Sequence, residues 1–124
     1  IQEHNMESSV ILTGNVFDAY QYLPAFDVFV LSSLSEGLPL AVLEAMIAKL
    51  PVIATDVGAV KDTIADKGKL IPSKDITALA SAMQEYLELE NLQLQSLGDA
   101  LRKRAEAEFS IVTYRKNYHT LVLG

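Results

Sequence analysis

Residues 27–55 read DVFVLSSLSEGLPLAVLEAMIAKLPVIAT. The stretch opens on one continuous apolar run, Asp27-Val28-Phe29-Val30-Leu31, and closes on a second, Pro51-Val52-Ile53-Ala54-Thr55. Apolar runs without alternation suit strands covered on both faces, as in a parallel sheet. Between them comes a serine-rich loop, Ser32 to Ser35, followed by Glu36-Gly37. Pro39 is then well placed as the first residue of a helix running to about Lys49. Glu36 and Glu44 stand eight residues apart, and Lys49 is the only other charge between Leu38 and Ile53. An ionised carboxylate buried in such surroundings costs several kcal/mol unless it is paired or hydrogen-bonded. Two carboxylates kept there, beside a glycine and a proline, point to a binding site.

Working outward, Val10-Ile11-Leu12-Thr13 is a β-branched run ended by Gly14, which predicts a short strand. Val16, Ala19, Tyr20 and Leu23 have helical spacing, with Asn15 as N-cap and Pro24 as the stop. On the other side, Asp56 and Gly58 close the second run. Val60 to Ile64 fits one helical turn or two, and Gly68 to Ile71 predicts a last strand stopped by Pro72. From Ser73 onward the pattern is helical. Asp75 or Thr77 can cap a helix through Leu87, and Leu92 to Phe109 gives one or two more, interrupted near Gly98. Ser110 caps a final helix carrying Val112, Tyr114, Tyr118, Leu121 and Val122. Tyr20, Tyr22, Tyr114 and Tyr118 are expected to pack, and His119 to lie on the surface.

Strands alternating with helices define an α/β domain with a Rossmann-like parallel sheet, followed by C-terminal helices. Residues 1–72 hold the strand–helix repeats and the binding motif, and residues 73–124 the C-terminal helices. Ligands in such sheets bind beyond the carboxyl ends of the strands. The loops Gly14-Asn15, Ser32 to Gly37 and Thr55 to Gly58 are therefore expected along one edge.

Composition narrows the function. The 124 residues are enough for one core, and half are hydrophobic. A net charge of −6 argues against nucleic acid, whose partners carry a basic face. Arg102, Lys103, Arg104, Arg115 and Lys116 interleave with acidic and aromatic residues and read as a solvated helix face. There is no cysteine, which excludes disulfides and thiol chemistry, and two distant histidines make a poor zinc site. No run spans a bilayer, so a cytoplasmic domain is expected.

The motif resembles the C-terminal domain of family 4 retaining glycosyltransferases of the GT-B fold. The family reads E-G-[FL]-[GP]-x4-E-A-M and then P-V-[IV]-A-[TS]-x-x-G-G. Matching residues are Asp27 to Leu31, Ser33, Glu36-Gly37-Leu38-Pro39, Glu44-Ala45-Met46, Pro51 to Thr55 and Gly58. Gly68 to Pro72 and Asp75 continue the match more weakly. Three departures stand out: Pro39 where many members have glycine, Ala59 where a second glycine is usual, and Lys49-Leu50 in place of the glycine before Pro51.

The resemblance implies a donor site formed by Ser33, Glu36, Gly37, Leu38, Pro39, Leu40 and Glu44. Glu36, its catalytic residue, would bind hydroxyls of the donor sugar, and Glu44 the ribose hydroxyls of the nucleotide. Amides from Gly37 to Ala41, at a helix N-terminus, would receive the diphosphate. The donor would be a UDP-, GDP- or ADP-sugar, used without metal or other cofactor, and the acceptor a glycan or lipid held by an N-terminal domain outside this chain. Peripheral membrane association of the intact enzyme fits the same picture. An arginine and a lysine that neutralise the departing diphosphate would also lie outside, so the isolated chain is expected to be inactive.

By resemblance, the strands at Val10, Asp27, Pro51 and Gly68 are the third to sixth of order 3-2-1-4-5-6. The Val10 strand then lacks its neighbour, and the Asp27 strand has an open edge that invites self-association. Plainer readings are that Glu36 caps a helix, that Glu44 reaches solvent, that the serines are loop residues and that Asp56 is a turn residue. A GT-B nucleotide-sugar epimerase shares the fold. A receiver-like module needs an acidic pair after its first strand, where Gly14 and Asn15 stand here.

Overall fold

The computed structural model describes residues 4–123, with side chains to residue 117. His119, Tyr118, Leu121 and Val122 therefore have side chains outside the described residues. Three strands, β1 (Phe29–Leu31), β2 (Val52–Thr55) and β3 (Lys69–Ile71), form a parallel sheet in the order β1-β2-β3. Around it lie α1 (Leu40–Ile47), α2 (Val60–Ile64), α3 (Ile76–Leu87), α4 (Asn91–Glu108) and α5 (Ile111–Leu123). The three strands are neighbours in chain order, as expected for the fourth to sixth of a doubly wound sheet.

Both faces of the central strand are covered, and all four of its residues are buried. Alternation along β2 divides the core. Val52 and Ala54 face α1, α2 and α4, meeting Val42, Met46, Val60, Ile64 and Leu101. Ile53 faces α3, with Ile71, Ala82 and Tyr86. The Tyr86 hydroxyl reaches the Val52 carbonyl at 3.4 Å. Burial, with help from the Glu85 charge, pushes the phenol above its ordinary range, so it remains a donor.

Caps set the helix limits. Asp75 accepts from the Ala78 amide at 2.8 Å, so Asp75 starts α3 and Thr77 does not. Ser110 accepts from the Thr113 amide and starts α5. Pro39 is the N-cap of α1 and lies just before its first helical residue. At the end of α2, Arg104 donates to the carbonyls of Thr63 (2.8 Å) and Asp62 (2.6 Å), groups that a helix end leaves open. Most of the basic residues near the C-terminus are solvated as expected, but Arg104 ties α4 to α2.

Five expectations change. Residues 10–13 form no strand, and Ile11 and Leu12 are 85% and 81% exposed. A strand is stabilised by its ladder, and no partner stands beside this one among the described residues. The helix expected over Val16 to Leu23 is instead a 3-10 segment, Ala19–Ala25, preceded by Asp18 in the left-handed region. It buries only Leu23 and contains Pro24, so Asn15 does not cap it and Pro24 does not stop it. Tyr20, Tyr22 and Tyr114 do not pack into the core but are more than half exposed. The strand expected over Asp27 to Leu31 is shorter and less covered: β1 is an edge strand, and Val30 is 37% exposed.

The fifth change is at Gly98. It does not interrupt α4, which runs through it. Gly98 is where α4 crosses the turn after α1. A Cβ there would overlap the Lys49 carbonyl oxygen and stand 2.7 Å from the carbonyl carbon. Lys49 has φ +64, the left-handed conformation for which glycine is favoured, so the family's usual glycine at this turn has a conformational reason. Lysine there costs about 1 kcal/mol. The Lys49 side chain pairs with Asp99 at 2.9 Å, a half-exposed contact that holds the Asp99 carboxyl below its ordinary range.

Candidate functional site

Two loops meet at the carboxyl ends of β1 and β2. Thr55, the last residue of β2, is 3% exposed and donates its hydroxyl to the Ser33 carbonyl at 2.7 Å. Ser33 in turn donates its own hydroxyl to Glu36 Oε1 at 2.6 Å. Glu36 is half-buried. Below it, Gly58 lies at φ +54, and a Cβ on Gly58 would overlap the Glu36 carbonyl oxygen and stand 2.8 Å from the carbonyl carbon. Glu36 is thus fixed twice, by its side chain through Ser33 and by its backbone on Gly58. The expected loop Gly14-Asn15 does not join them. The space around Gly14 is open, and no strand leads into it.

From Glu36 the chain enters α1. Gly37, Leu38 and Leu40 are exposed and Pro39 is buried. The Leu40 amide, one of the expected phosphate donors, bonds to the Leu38 carbonyl at 2.9 Å. Val42, Ala45 and Met46 face the core. The opposite face presents Leu40, Glu44 and Ile47, all exposed. They border an open hollow of about 690 Å³ that also includes Tyr20, Pro24 and Arg102. Neither glutamate is buried without a partner, so the desolvation cost inferred from the apolar sequence around them does not arise. Glu36 has a hydroxyl partner, and Glu44 faces water.

Two carboxylates bracket the start of α1. Glu36 lies at the strand ends, the first turn of α1 follows it, and Glu44 stands at the fifth position of that helix. A half-buried carboxylate with a fixed oxygen can accept hydrogen bonds from hydroxyls, and an exposed one beside an apolar hollow can do the same. Among the described residues no group of three histidine, cysteine, aspartate or glutamate side chains could hold a metal ion. No described helix is long and apolar enough to cross a membrane. Sequence reasoning matched Thr55 and Gly58 to a motif without seeing their task. The signals were a hydroxyl ending a fully apolar strand and a glycine three residues later.

This architecture, a parallel sheet covered on both faces with two loops meeting at the strand ends, is that of a GT-B glycosyltransferase domain. HepE of Anabaena, solved in complex with UDP, superimposes with a TM-score of 0.87 at 22% identity, over 97% of this chain and 34% of that one. Sucrose-phosphate synthase of Thermosynechococcus elongatus superimposes with a TM-score of 0.83 at 32% identity, over 97% of this chain and 32% of that one. The family model described as glycosyl transferases group 1 matches residues 1–89, and the chain belongs to that family. TuaC of Bacillus subtilis (strain 168), a glycosyltransferase assigned by name to teichuronic acid biosynthesis, is 38% identical over 112 residues, which are 88% of this chain and 28% of TuaC. The chain therefore spans about a third of the length of each of these three proteins.

Proposed function

We propose that this chain is the donor-binding part of a retaining, family 4 glycosyltransferase that moves a sugar from a nucleotide-sugar to a glycan or lipid acceptor. The observation that carries the reading is the fixed Glu36 carboxylate at the strand ends, followed by a helix with Glu44 on its open face. Glu36, the catalytic residue of this scheme, accepts hydrogen bonds from donor-sugar hydroxyls. Glu44 accepts from the ribose. Gly37, Leu38, Pro39 and Leu40 line the path between them, where the diphosphate lies near the first turn of α1. HepE, of the same fold, was solved with UDP, which supports a nucleotide donor. The polymer in the name of TuaC supports a glycan acceptor.

The chemistry asks little of this chain beyond positioning. Retaining transfer by leaving-group stabilisation requires no protein nucleophile here, and the Ser33 hydroxyl, bonded to Glu36, serves to hold that carboxylate. The cation that meets the departing diphosphate is supplied from outside these residues. No metal or cofactor is invoked, the isolated chain is inactive, and the intact enzyme works in the cytoplasm or at the inner membrane surface. The family match favours neither an epimerase nor a receiver-like module.

Glu44→Ala is the direct test. Measured by calorimetry on the whole polypeptide that carries these residues, it should weaken donor nucleotide binding by about 1–3 kcal/mol, the scale of lost charged hydrogen bonds. Because the Glu44 side chain is exposed, the melting temperature should barely move. Unchanged affinity would remove Glu44 from the site.

A further inference from the structure

We propose that Thr55 is a positioning residue for Glu36, acting through Ser33. This rests on the reading above that Glu36 faces the donor sugar. Thr55 sits at the end of the central strand, all four of whose residues are buried. Its one hydroxyl proton goes to the Ser33 carbonyl at 2.7 Å. That bond ties the loop after β1 to the end of β2, across 22 residues of sequence. The same Ser33 holds Glu36 Oε1 at 2.6 Å, so the carboxylate orientation is referred, in two steps, to the sheet. The Gly58 seat holds the Glu36 backbone, but Leu34 and Ser35 are both exposed, and the Thr55 bond is the tie from Ser33 to the sheet. Thr55 touches no substrate in this arrangement. It decides which way a residue that does touch substrate points.

The task is specific to the hydroxyl. Valine keeps the shape of threonine at a buried strand position but offers no donor, whereas serine keeps the donor and loses a methyl group. A purely structural role would follow shape and burial. A positioning role follows the hydroxyl. It should also act on the sugar end of the donor, because Glu44 lies on α1 and does not depend on the Ser33 bond.

The test compares Thr55→Val, Thr55→Ser and Ser33→Ala in the whole polypeptide that carries these residues. Binding is measured with UDP-glucose, GDP-mannose and ADP-glucose, and with UDP, GDP and ADP alone. Thr55→Val should weaken the sugar nucleotide that binds by about tenfold while leaving the matching diphosphate within about twofold. Ser33→Ala should reproduce that pattern, and Thr55→Ser should restore wild-type binding. Equal loss of sugar nucleotide and diphosphate, no loss, or failure of serine to rescue would overturn the proposal. Should none of these probes bind, the Glu36 carboxyl carbon resonance decides. It should shift in Thr55→Val and return in Thr55→Ser, and an unmoved resonance would overturn the proposal. Glu36→Gln separates the two readings. If it leaves sugar-nucleotide affinity intact while the carboxyl resonance still responds to Thr55, the donor-site reading fails and the positioning link stands.

Discussion

Gly98→Ala should destabilise the domain by about 3 kcal/mol, although the same change in an exposed helix interior would stabilise it by about 1 kcal/mol. The sign reverses because of what Gly98 touches. A Cβ at this position overlaps the Lys49 carbonyl, which is backbone and cannot rotate away. Lys49 is itself held by its left-handed turn and by Asp99. Relief therefore requires α4 to move off the turn after α1. That shift would open the core at Leu101 and Ala105, which α4 contributes one and two turns further on. For a domain of this size the loss corresponds to about 10 °C in melting temperature. Thermal unfolding followed by circular dichroism measures it. A melting temperature equal to or above that of the wild type would show that α4 does not make this close approach.

Gly58→Ala should be as costly to stability and should also cost function. Two penalties combine. Alanine at φ +54 costs about 1–2 kcal/mol. The added Cβ also overlaps the Glu36 carbonyl, and clearing it adds a further 1–3 kcal/mol or so. The loop is the softer partner, because the sheet is packed on both sides, so the Ser33–Glu36 segment should yield first. Donor binding in the whole polypeptide should then fall by more than about tenfold, with the sheet and helices retained. Binding at wild-type strength would mean that Glu36 does not need its backbone seat on Gly58.

Where local pattern and burial agreed, the fold was legible in the residues. The run around Val52 is apolar at every position because both faces of β2 are covered, and its reading as a buried strand holds. Asp75 and Ser110 announced their helices because capping is a contact within a few residues. The run at Val10 carried the same strand signal and formed none, since pairing depends on a neighbour that local sequence does not encode. Gly98 was read along the chain, as a helix breaker, when its meaning was lateral, as room for a second backbone. The two glutamates were conspicuous because of the apolar residues around them. Those residues point the other way, with Val42, Ala45 and Met46 turned inward and Glu44 outward. The motif could be seen in sequence. The bonds that aim it could not, because Thr55 and Ser33 lie 22 residues apart.

If the segment from Ser33 to Glu44 is the nucleotide-sugar end of this domain, nucleotide must protect it. Hydrogen exchange on the whole polypeptide that carries these residues, with and without UDP, GDP and ADP, tests this most directly. A second hollow, lined by Asp27, Lys49, Pro51, Asn91 and Gln95, lies at the amino ends of β1 and β2 and serves as an internal control. One of the three nucleotides should protect peptides spanning residues 33–44 and leave those spanning residues 89–97 unchanged. Protection of the 89–97 segment without the 33–44 segment would contradict that placement.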